Sequence, residues 1–357
     1  MFKRNKSLAW ALNQFRNRSL QGLSYRYDTG LSRPTRIIFC VTLKCNIKCK
    51  QCSIWSMDKP EELSTDEWKK VISDLRRWIG PTRIQLAGGE TFVRKDITEI
   101  IRYATQNDVL TGVVTNGTMI SRELAKDIVD SGLGYIHVSV DGINAETHDH
   151  IRGIPGIHEK AMKSIDYLVD ASRGSGMSCC LATIIMKKNM HELVDLVKLV
   201  EKKKLDGIIF NPLGPTIDSD PEWYKKTDLW FDDLTEINKV LDELITLKKK
   251  GARILNPPEQ FEAMKKYFEK PYLTMVERCM VGITNLSITC DGYIHTCFKM
   301  PPLGNVREIT PQEAWNSMKA KEVRNKIKNC DIHCSQFGNF VYRRNILSEV
   351  ARFIKYG

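Results

Sequence analysis

Three cysteines lie on one short stretch of the chain, at Cys45, Cys49 and Cys52. Their spacing, C-x3-C-x2-C, brings three soft thiolates together, and such ligands bind iron–sulfur clusters or zinc in preference to hard cations. Structural zinc usually takes four ligands, most often as C-x2-C pairs, whereas the nearest further thiol, Cys40, lies on an apolar run. The spacing therefore favours a four-iron cluster with one iron left open for chemistry, and zinc is the alternative.

A repeating pattern of strands and helices must position this loop. Short apolar runs that predict buried strands alternate with helical periodicity between residues 36 and 215, and Ser64 followed by Glu67 predicts a capping box at the first of these helices. The predicted strands are 36–41, 84–87, 110–114, 135–140, 179–185 and 207–211. This alternation predicts an α/β fold of parallel strands with right-handed crossovers, a partial (β/α)6 TIM-like barrel.

Small and polar residues directly follow several of these strands. Gly88-Gly89-Glu90 ends the second strand, Thr115-Asn116-Gly117 ends the third, and Asp141-Gly142 ends the fourth. In a barrel of parallel strands, the loops at the carboxyl ends of the strands build the active site. We therefore expect the cysteine loop and these turns to meet at one mouth of the barrel.

Over residues 36–215 the chain resembles the radical S-adenosylmethionine (radical SAM) superfamily, whose defining signature is this C-x3-C-x2-C motif after the first strand. The resemblance implies that the amino and carboxylate groups of SAM bind the open iron of a [4Fe-4S] cluster. It also implies that one electron cleaves SAM to methionine and a 5′-deoxyadenosyl radical, which takes a hydrogen atom from the substrate. The electron would come from a donor such as flavodoxin or ferredoxin.

The turn Gly88-Gly89-Glu90 resembles the family's Gly-Gly-Glu turn, whose backbone and glutamate contact the amino group of SAM. The chemistry is reasonable, because two glycines allow a backbone to approach a ligand closely. A carboxylate is also a good partner for an ammonium group. The resemblance therefore assigns Gly88, Gly89 and Glu90 to cofactor binding, with Thr115 and Asn116 lining the mouth nearby.

Residues 139–153 resemble the branch of the family that contains molybdenum-cofactor, peptide-maturation and sulfatase-maturation enzymes. By that likeness Ser139 and Asp141 lie at the SAM site, Arg152 contacts the SAM carboxylate, and Asn189 also reaches SAM. Taken alone, residues 139–142 could also form a plain strand-ending turn, and Arg152 could form a surface ion pair.

A second group of cysteines follows a charged, helical stretch at residues 216–272. Residues 285–297 predict a β-hairpin with an Asp-Gly turn, and the cysteines around it resemble the SPASM/twitch extension found behind many radical SAM barrels. A full SPASM domain has more cysteines, so the resemblance implies the shorter twitch form with one auxiliary [4Fe-4S] cluster. The ligands it assigns are Cys279, Cys297, Cys330 and Cys334.

Cys290 is left over from that assignment. It is a buried core thiol, an alternative ligand, or a hydrogen donor to a substrate radical, and free cysteines are often buried. A zinc site built from the same four thiols is the alternative to the auxiliary cluster. Cys40, Cys179 and Cys180 lie on predicted strands and are expected in the core.

The net charge of +11 belongs to the two ends of the chain, with +7 over residues 1–36 and +6 over residues 319–357. We expect an amphipathic helix near each end, either packed on the body with a solvated basic face or docked on an anionic surface such as a membrane. No apolar run is long enough to span a membrane, and no signal peptide is evident. We therefore expect a cytoplasmic protein, with contact at the inner membrane face as an option.

The predicted organisation has five parts. They are a basic N-terminal helix (1–35), the barrel (36–215), a helical connector (216–272), the cluster-binding extension (273–335) and a basic C-terminal helix (336–357). We expect an enzyme that acts on a small metabolite, a lipid-linked molecule or a peptide. The alternative is a non-catalytic iron–sulfur or zinc protein that binds nucleic acid through its basic ends, although no recognition motif or stacking platform supports it.

Overall fold

The computed structural model describes residues 8–216, 220, 222–271 and 279–330. The predicted C-terminal helix and Cys334 lie outside the described residues. Within them, the first six strands run in sequence order across one sheet, and each pairs with the next in parallel. They are β1 (Arg36–Thr42), β2 (Thr82–Gly88), β3 (Val109–Thr115), β4 (Tyr135–Ser139), β5 (Ser178–Ile185) and β6 (Gly207–Pro212). The predicted alternation of strands and helices is confirmed.

Helices connect these strands and cover one face of the sheet. The helices up to β6 are α1 (Leu8–Tyr27), α2 (Thr65–Ile79), α3 (Ile97–Gln106), α4 (Arg122–Asp130), α5 (Ala145–Arg152), α6 (Ile157–Ser172) and α7 (Leu193–Lys202). Those after β6 are α8 (Leu234–Lys249), α9 (Pro258–Glu269), α10 (Val281–Thr284), α11 (Pro311–Asn316) and α12 (Met318–Lys328). The predicted capping box is present at the start of α2, where Ser64 and Glu67 bond each other's backbone N–H groups.

The two faces of the parallel sheet differ in burial. On β1 the residues facing the helices, such as Phe39, are fully buried, and the Phe39 ring stacks on Trp68 of α2 with centroids 4.6 Å apart. The alternate residues Ile38 and Cys40 are only partly buried. The same alternation continues on β4, where His137 is partly exposed between buried neighbours. A face that helices do not cover and that is still partly accessible is the interior of a partial barrel.

The C-terminal hairpin continues the barrel's own sheet. β7 (Asn285–Ile288) pairs in parallel with β1, and β8 (Tyr293–His295) and β9 (Gly304–Asn305) follow in antiparallel pairing. The tight turn between β7 and β8 uses Gly292 at φ +93°, a conformation that favours glycine. The result is a nine-stranded sheet in which β1 is a central strand with a neighbour on both sides.

The N-terminal helix α1 and the segment after it pack against the C-terminal part of the chain. The indole of Trp315 donates to the carbonyl of Ser32 at 2.9 Å, and Lys328 pairs with Asp28 at 2.8 Å. The backbone N–H of Thr35 donates to the carbonyl of Thr284 at 2.8 Å. These contacts favour a packed peripheral helix at this end. None of the described helices is long and apolar enough to cross a membrane.

Replacing Leu286 by alanine tests whether the hairpin belongs to the main core. Leu286 is fully buried on β7, so its truncation should lower the free energy of unfolding of the whole barrel by about 2–5 kcal/mol. The measurement is anaerobic urea unfolding followed by both fluorescence and circular dichroism. Met318→Ala is the control, since Met318 is 70 % exposed and should change little. Two separate transitions, with only one shifted by Leu286→Ala, would contradict the single core.

Candidate active site

The cysteine loop leaves the end of β1 and is held on one side by the turn that follows β2. The backbone N–H of Gly89 donates to the carbonyl of Thr42 at 2.8 Å, and that of Glu90 donates to the carbonyl of Lys44 at 2.9 Å. A Cβ on Gly88 would lie 2.2 Å from the Thr42 oxygen, and one on Gly89 would lie 2.2 Å from the Lys44 oxygen. These glycines are therefore required because the backbone of the cysteine loop lies so close to them. The sequence alone predicts a different reason, which is the close approach of a ligand.

The end of α5 holds the other side of the loop. The N–H of Lys50 donates to the carbonyl of Ile151 at 3.0 Å. Gly153 ends α5 at φ +77°, and a Cβ there would lie 2.2 Å from the carbonyl oxygen of Lys48. Helix α5 lies in the connection between β4 and β5. The loop is thus clamped between turns from opposite parts of the barrel, and this explains how β1 and β4, three strands apart, build one site.

The three thiols share one small apolar cluster. Cys49 is buried and Cys45 and Cys52 are half-buried, and the cluster also contains Ile47, Ile154 and Ile157. Burial raises the pKa of both Cys45 and Cys49, with a smaller contribution from the charge on Cys52, and the pKa of Cys49 reaches about 11. A cationic iron centre would stabilise such thiols as thiolates, and three thiols in one cluster are a donor set that fits an iron–sulfur cluster.

Glu90 lies between the β2 turn and the end of β3 and is almost completely buried. Its carboxylate accepts hydrogen bonds from the hydroxyl of Thr115 and the backbone N–H of Asn116, both at 2.7 Å, and from the N–H of Phe92 at 3.1 Å. The Asn116 side chain then donates to Asn46 of the cysteine loop at 2.9 Å. The structure thus brings Glu90, Thr115 and Asn116 together beside the thiols, as expected for one mouth.

Arg152 connects a cysteine to a carboxylate inside the site. Its Nη2 lies 2.7 Å from Oδ2 of the fully buried Asp141, and its Nη1 lies 3.8 Å from Sγ of Cys49. Burial acts to lower the pKa of Arg152, but Asp141 and Cys49 outweigh it and leave that pKa raised. Arg152 is therefore a charged group of the interior, and the interpretation as a surface ion pair is wrong.

Asn189 braces the ends of β4 and β5. Its Nδ2 donates to the carbonyls of Asp141 at 2.7 Å and Ile184 at 2.8 Å, and its Oδ1 accepts from the N–H of Met186 at 2.9 Å. Asn189 is fully buried, so its contact with SAM stays a prediction. Ser139, by contrast, is partly exposed on the inner face of β4.

Sequence reasoning missed three supports of this site. Gln51 of the cysteine loop donates to Oδ2 of Asp141 at 3.2 Å, and the N–H of Asp141 donates to Nδ1 of His148 at 3.1 Å. Burial lowers the pKa of His148 to about 2, so the imidazole accepts this bond as a neutral group. Glu192 accepts from the N–H groups of Ile143 and Asn144. Gln51 and His148 lie inside recognised motifs, whereas nothing in the local sequence marks Glu192.

The second set of thiols gathers on the C-terminal part of the sheet. Burial raises the pKa of Cys279, and the charges on Cys297 and Cys330 act in the same direction, so each of these two thiols lies within electrostatic range of Cys279. Cys334 lies outside the described residues. The assignment of these thiols as ligands of an auxiliary cluster stays a prediction.

Cys290 lies apart from this set, next to Cys40. It is buried, and its charge adds to the burial that raises the pKa of Cys40 to about 12. Its carbonyl accepts from the N–H of Leu63 at 2.6 Å. Cys179 and Cys180 are buried, as expected, but Cys40 is partly exposed because it lies on the inner face of β1.

A cavity of about 290 Å³ opens beside the cysteine loop. Gln51 lies on one side of it, and Leu213, Trp223 and Leu229, which follow β6, lie on the other. The cavity therefore joins the mouth of the barrel at the edge farthest from the C-terminal hairpin.

Comparisons with known proteins agree with this architecture. The family model of the radical SAM superfamily matches residues 39–200, and that of the SPASM iron-sulfur cluster-binding domain matches residues 279–336. The AdoMet-dependent heme synthase of Methanosarcina barkeri is 30 % identical over 305 residues, which are 80 % of this chain and 82 % of that protein. The PqqA peptide cyclase of Rhodopseudomonas palustris is 31 % identical over 46 % of this chain and 43 % of its own.

Solved structures share the fold at low sequence identity. SuiB of Streptococcus suis bound to S-adenosylmethionine has a TM-score of 0.68 at 15 % identity, over 89 % of this chain and 73 % of SuiB. SuiB has also been solved with its precursor peptide SuiA. The fold, the clustered thiols and the matching relatives show that this chain belongs to the radical SAM superfamily and carries a C-terminal SPASM domain. It is accordingly an enzyme that uses SAM, a [4Fe-4S] cluster and auxiliary iron–sulfur chemistry.

Replacing Gly89 by alanine tests the clamp on the cysteine loop. The added Cβ would collide with the Lys44 carbonyl and displace the loop that carries the thiols. Because a displacement of about 1 Å at a reacting centre can cost about a hundredfold in rate, we expect SAM cleavage to fall by up to that factor. Anaerobic iron analysis and 5′-deoxyadenosine assays provide the measurement.

Gly22→Ala is the matched control for this test. Gly22 lies in α1, and a Cβ there would meet no atom within 4 Å. In a helix alanine is favoured over glycine by about 0.5–1 kcal/mol, so this variant should keep its iron and its activity. Full iron content and normal SAM cleavage in Gly89→Ala would show that the clamp is not needed.

Proposed function

We propose that this protein is a radical SAM oxidoreductase that removes a hydrogen atom from a small organic substrate bound at the mouth and inner face of the barrel. When bound, SAM and the reactive cluster would supply a 5′-deoxyadenosyl radical for that step. The auxiliary cluster would receive an electron or anchor the substrate. Cys45, Cys49 and Cys52 would hold the reactive cluster. The observation that carries the proposal is the presence of two thiol sets on one sheet, one after β1 and the other around the adjacent hairpin.

The residues around the reactive cluster have distinct roles in this proposal. Burial raises the pKa of Glu90, whereas three hydrogen-bond donors oppose that shift and favour the charged form, which would attract the ammonium group of SAM. Arg152 carries a guanidinium beside Cys49 and would attract the SAM carboxylate. Ser139 is partly exposed on the same inner face and would contact the ribose or methionine part of SAM. Asn189 would hold the strand ends in place.

The inner face of the barrel carries neutral hydrogen-bonding groups, with the guanidinium of Arg83 over the ring of Tyr135 nearer the amino ends of the strands. Gln85, His137 and Ser139 project from β2 and β4 at partly exposed positions among apolar residues. Burial lowers the pKa of His137 to about 4, so its imidazole is neutral at physiological pH and offers one donor and one acceptor. Neutral hydrogen-bonding groups in a largely apolar cavity are typical of sites for small organic molecules.

The relatives support two substrate classes. The match to the heme synthase covers about four fifths of both chains, and the name of that protein refers to heme, an iron-containing tetrapyrrole, rather than to a peptide. The peptide cyclase matches less than half of each chain, although the SuiB complex shows that this fold also accommodates a peptide. We therefore place a small organic substrate first and a peptide second.

Iron analysis of cysteine variants tests the two cluster sites. Reconstituted protein should hold about eight iron atoms per chain, falling to about four in Cys45→Ala/Cys49→Ala/Cys52→Ala. That variant should lose SAM cleavage completely. Cys279→Ala/Cys297→Ala is the matched control, expected to keep about four irons and still cleave SAM. Four irons and one zinc in the wild-type protein would contradict the auxiliary iron–sulfur site, and no SAM cleavage in fully loaded protein would contradict the function.

Deuterium transfer identifies the substrate class. Extracts of cells grown in deuterated medium are separated into small-molecule, lipid and peptide fractions and added to the reduced enzyme with unlabelled SAM. The fraction that contains the substrate should place deuterium in 5′-deoxyadenosine, detected by mass spectrometry. Label from the small-molecule fraction is expected. Protease-sensitive label would instead identify a peptide, and label from the lipid fraction a lipid-linked substrate.

A further inference from the structure

The outer surface of the cysteine loop is basic, because buried residues of the loop alternate with exposed lysines. Cys45, Ile47 and Cys49 turn inward and are buried or half-buried, whereas Lys44, Lys48 and Lys50 lie between and beside them and are exposed. Residues 44–59 contain four lysines and one acidic residue. The surface closest to the thiols therefore carries a concentrated positive charge, which we call the loop face (residues 44–59).

Most of this charge is not neutralised by carboxylates. Lys48 lies over the ring of Trp55 at 5.8 Å, Lys50 contacts Nε2 of His150 at 2.8 Å, and Lys59 donates to backbone carbonyls that include that of Ile54 at 2.9 Å. Among the residues that the structure describes, no carboxylate forms an ion pair with any of these three lysines. Of the lysines on the loop face, Lys44 has an acidic partner, Glu62 at 3.6 Å.

The loop face also has an exposed aromatic group joined directly to the thiol loop. Trp55 is 38 % exposed, and its Nε1 donates to the carbonyl of Cys49 at 3.3 Å. Met119, after β3, is 42 % exposed, and its neighbour Thr118 accepts a hydrogen bond from Asn46 of the loop at 2.8 Å. Aromatic and methionine side chains inside a polar rim are typical of protein–protein interfaces.

We infer that the loop face is the docking surface for an acidic protein electron carrier. The inference rests on the proposed function, because reductive cleavage of the sulfur–carbon bond of SAM consumes one electron, which the carrier loses on being oxidised. Electron transfer slows steeply with distance, so a carrier must dock near the thiols. Unpaired lysines steer an acidic partner toward that position by long-range attraction.

Charge reversal on the loop face tests the inference. Lys48→Glu/Lys50→Glu and wild-type protein are compared in 5′-deoxyadenosine formation, driven either by reduced flavodoxin, an acidic carrier, or by dithionite, a small reductant. The readout is the rate with flavodoxin divided by the rate with dithionite. At about 0.01 M salt, where charges act over about 30 Å, the ratio should fall about tenfold or more in the variant. Salt should lower the wild-type ratio toward that of the variant.

Lys126→Glu/Lys202→Glu is the matched control. Both lysines are exposed on the helices α4 and α7 outside the barrel, so the same change in net charge is made far from the loop face. This control should keep the wild-type ratio. An equal fall in the control, or an unchanged ratio in Lys48→Glu/Lys50→Glu, would overturn the inference. If charge reversal reduces the iron content, the neutral variant Lys48→Gln/Lys50→Gln replaces it in the test. The ratio should also fall in this variant, but by less than in Lys48→Glu/Lys50→Glu.

The outcomes separate this inference from the proposed function. Failure to cleave SAM with dithionite would reject the function, whereas normal cleavage with dithionite and an unchanged ratio would reject only the docking surface.

Sedimentation with vesicles of anionic phospholipid tests whether the loop face binds a membrane instead of a protein. Binding to vesicles that is lost in Lys48→Glu/Lys50→Glu, together with an unchanged flavodoxin ratio, would assign the loop face to a membrane and overturn the inference.

Discussion

The site depends on how closely backbone approaches backbone at the cysteine loop. Two carbonyls of the loop's first residues accept bonds from the turn after β2, and the end of α5 presses on its centre. A side chain at Gly88, Gly89 or Gly153 would occupy the space that these carbonyls use. The backbone of the loop that carries the thiols is therefore held from two sides, by hydrogen bonds from the turn after β2 and from Lys50 to the end of α5.

A second layer of order comes from buried polar groups that hold one another. Asp141 is bonded by Arg152, Gln51 and the backbone of Ile184, while Asn189 ties its carbonyl to β5. Buried charges of this kind are costly unless they are fully paired. Here the pairing offsets the free-energy cost of burial and holds the guanidinium of Arg152 near the thiol of Cys49.

The sequence predicted those features that depend on neighbouring residues. The parallel strands are apolar runs, and the capping box of Ser64 and Glu67 is a local pattern, so both were visible. The cysteine loop was visible because its ligands are close in sequence. Helix α5 was missed because its residues, AETHDHIR, lack apolar periodicity. The pairing of β7 with β1 joins segments about 250 residues apart, so no local pattern predicts it. The hydrogen bonds that Glu90 accepts come partly from Thr115 and Asn116, which are adjacent to it only in the folded chain.

The position of β7 has a consequence for how the chain is made. During synthesis β1 emerges early and pairs with β2, but its other edge lacks its partner until Ile288 has left the ribosome. An unpaired strand edge invites association with other chains, and contacts between distant segments form slowly. The nascent barrel therefore passes through a period in which β1 is paired along one edge only, and that open edge can associate with other chains until β7 covers it.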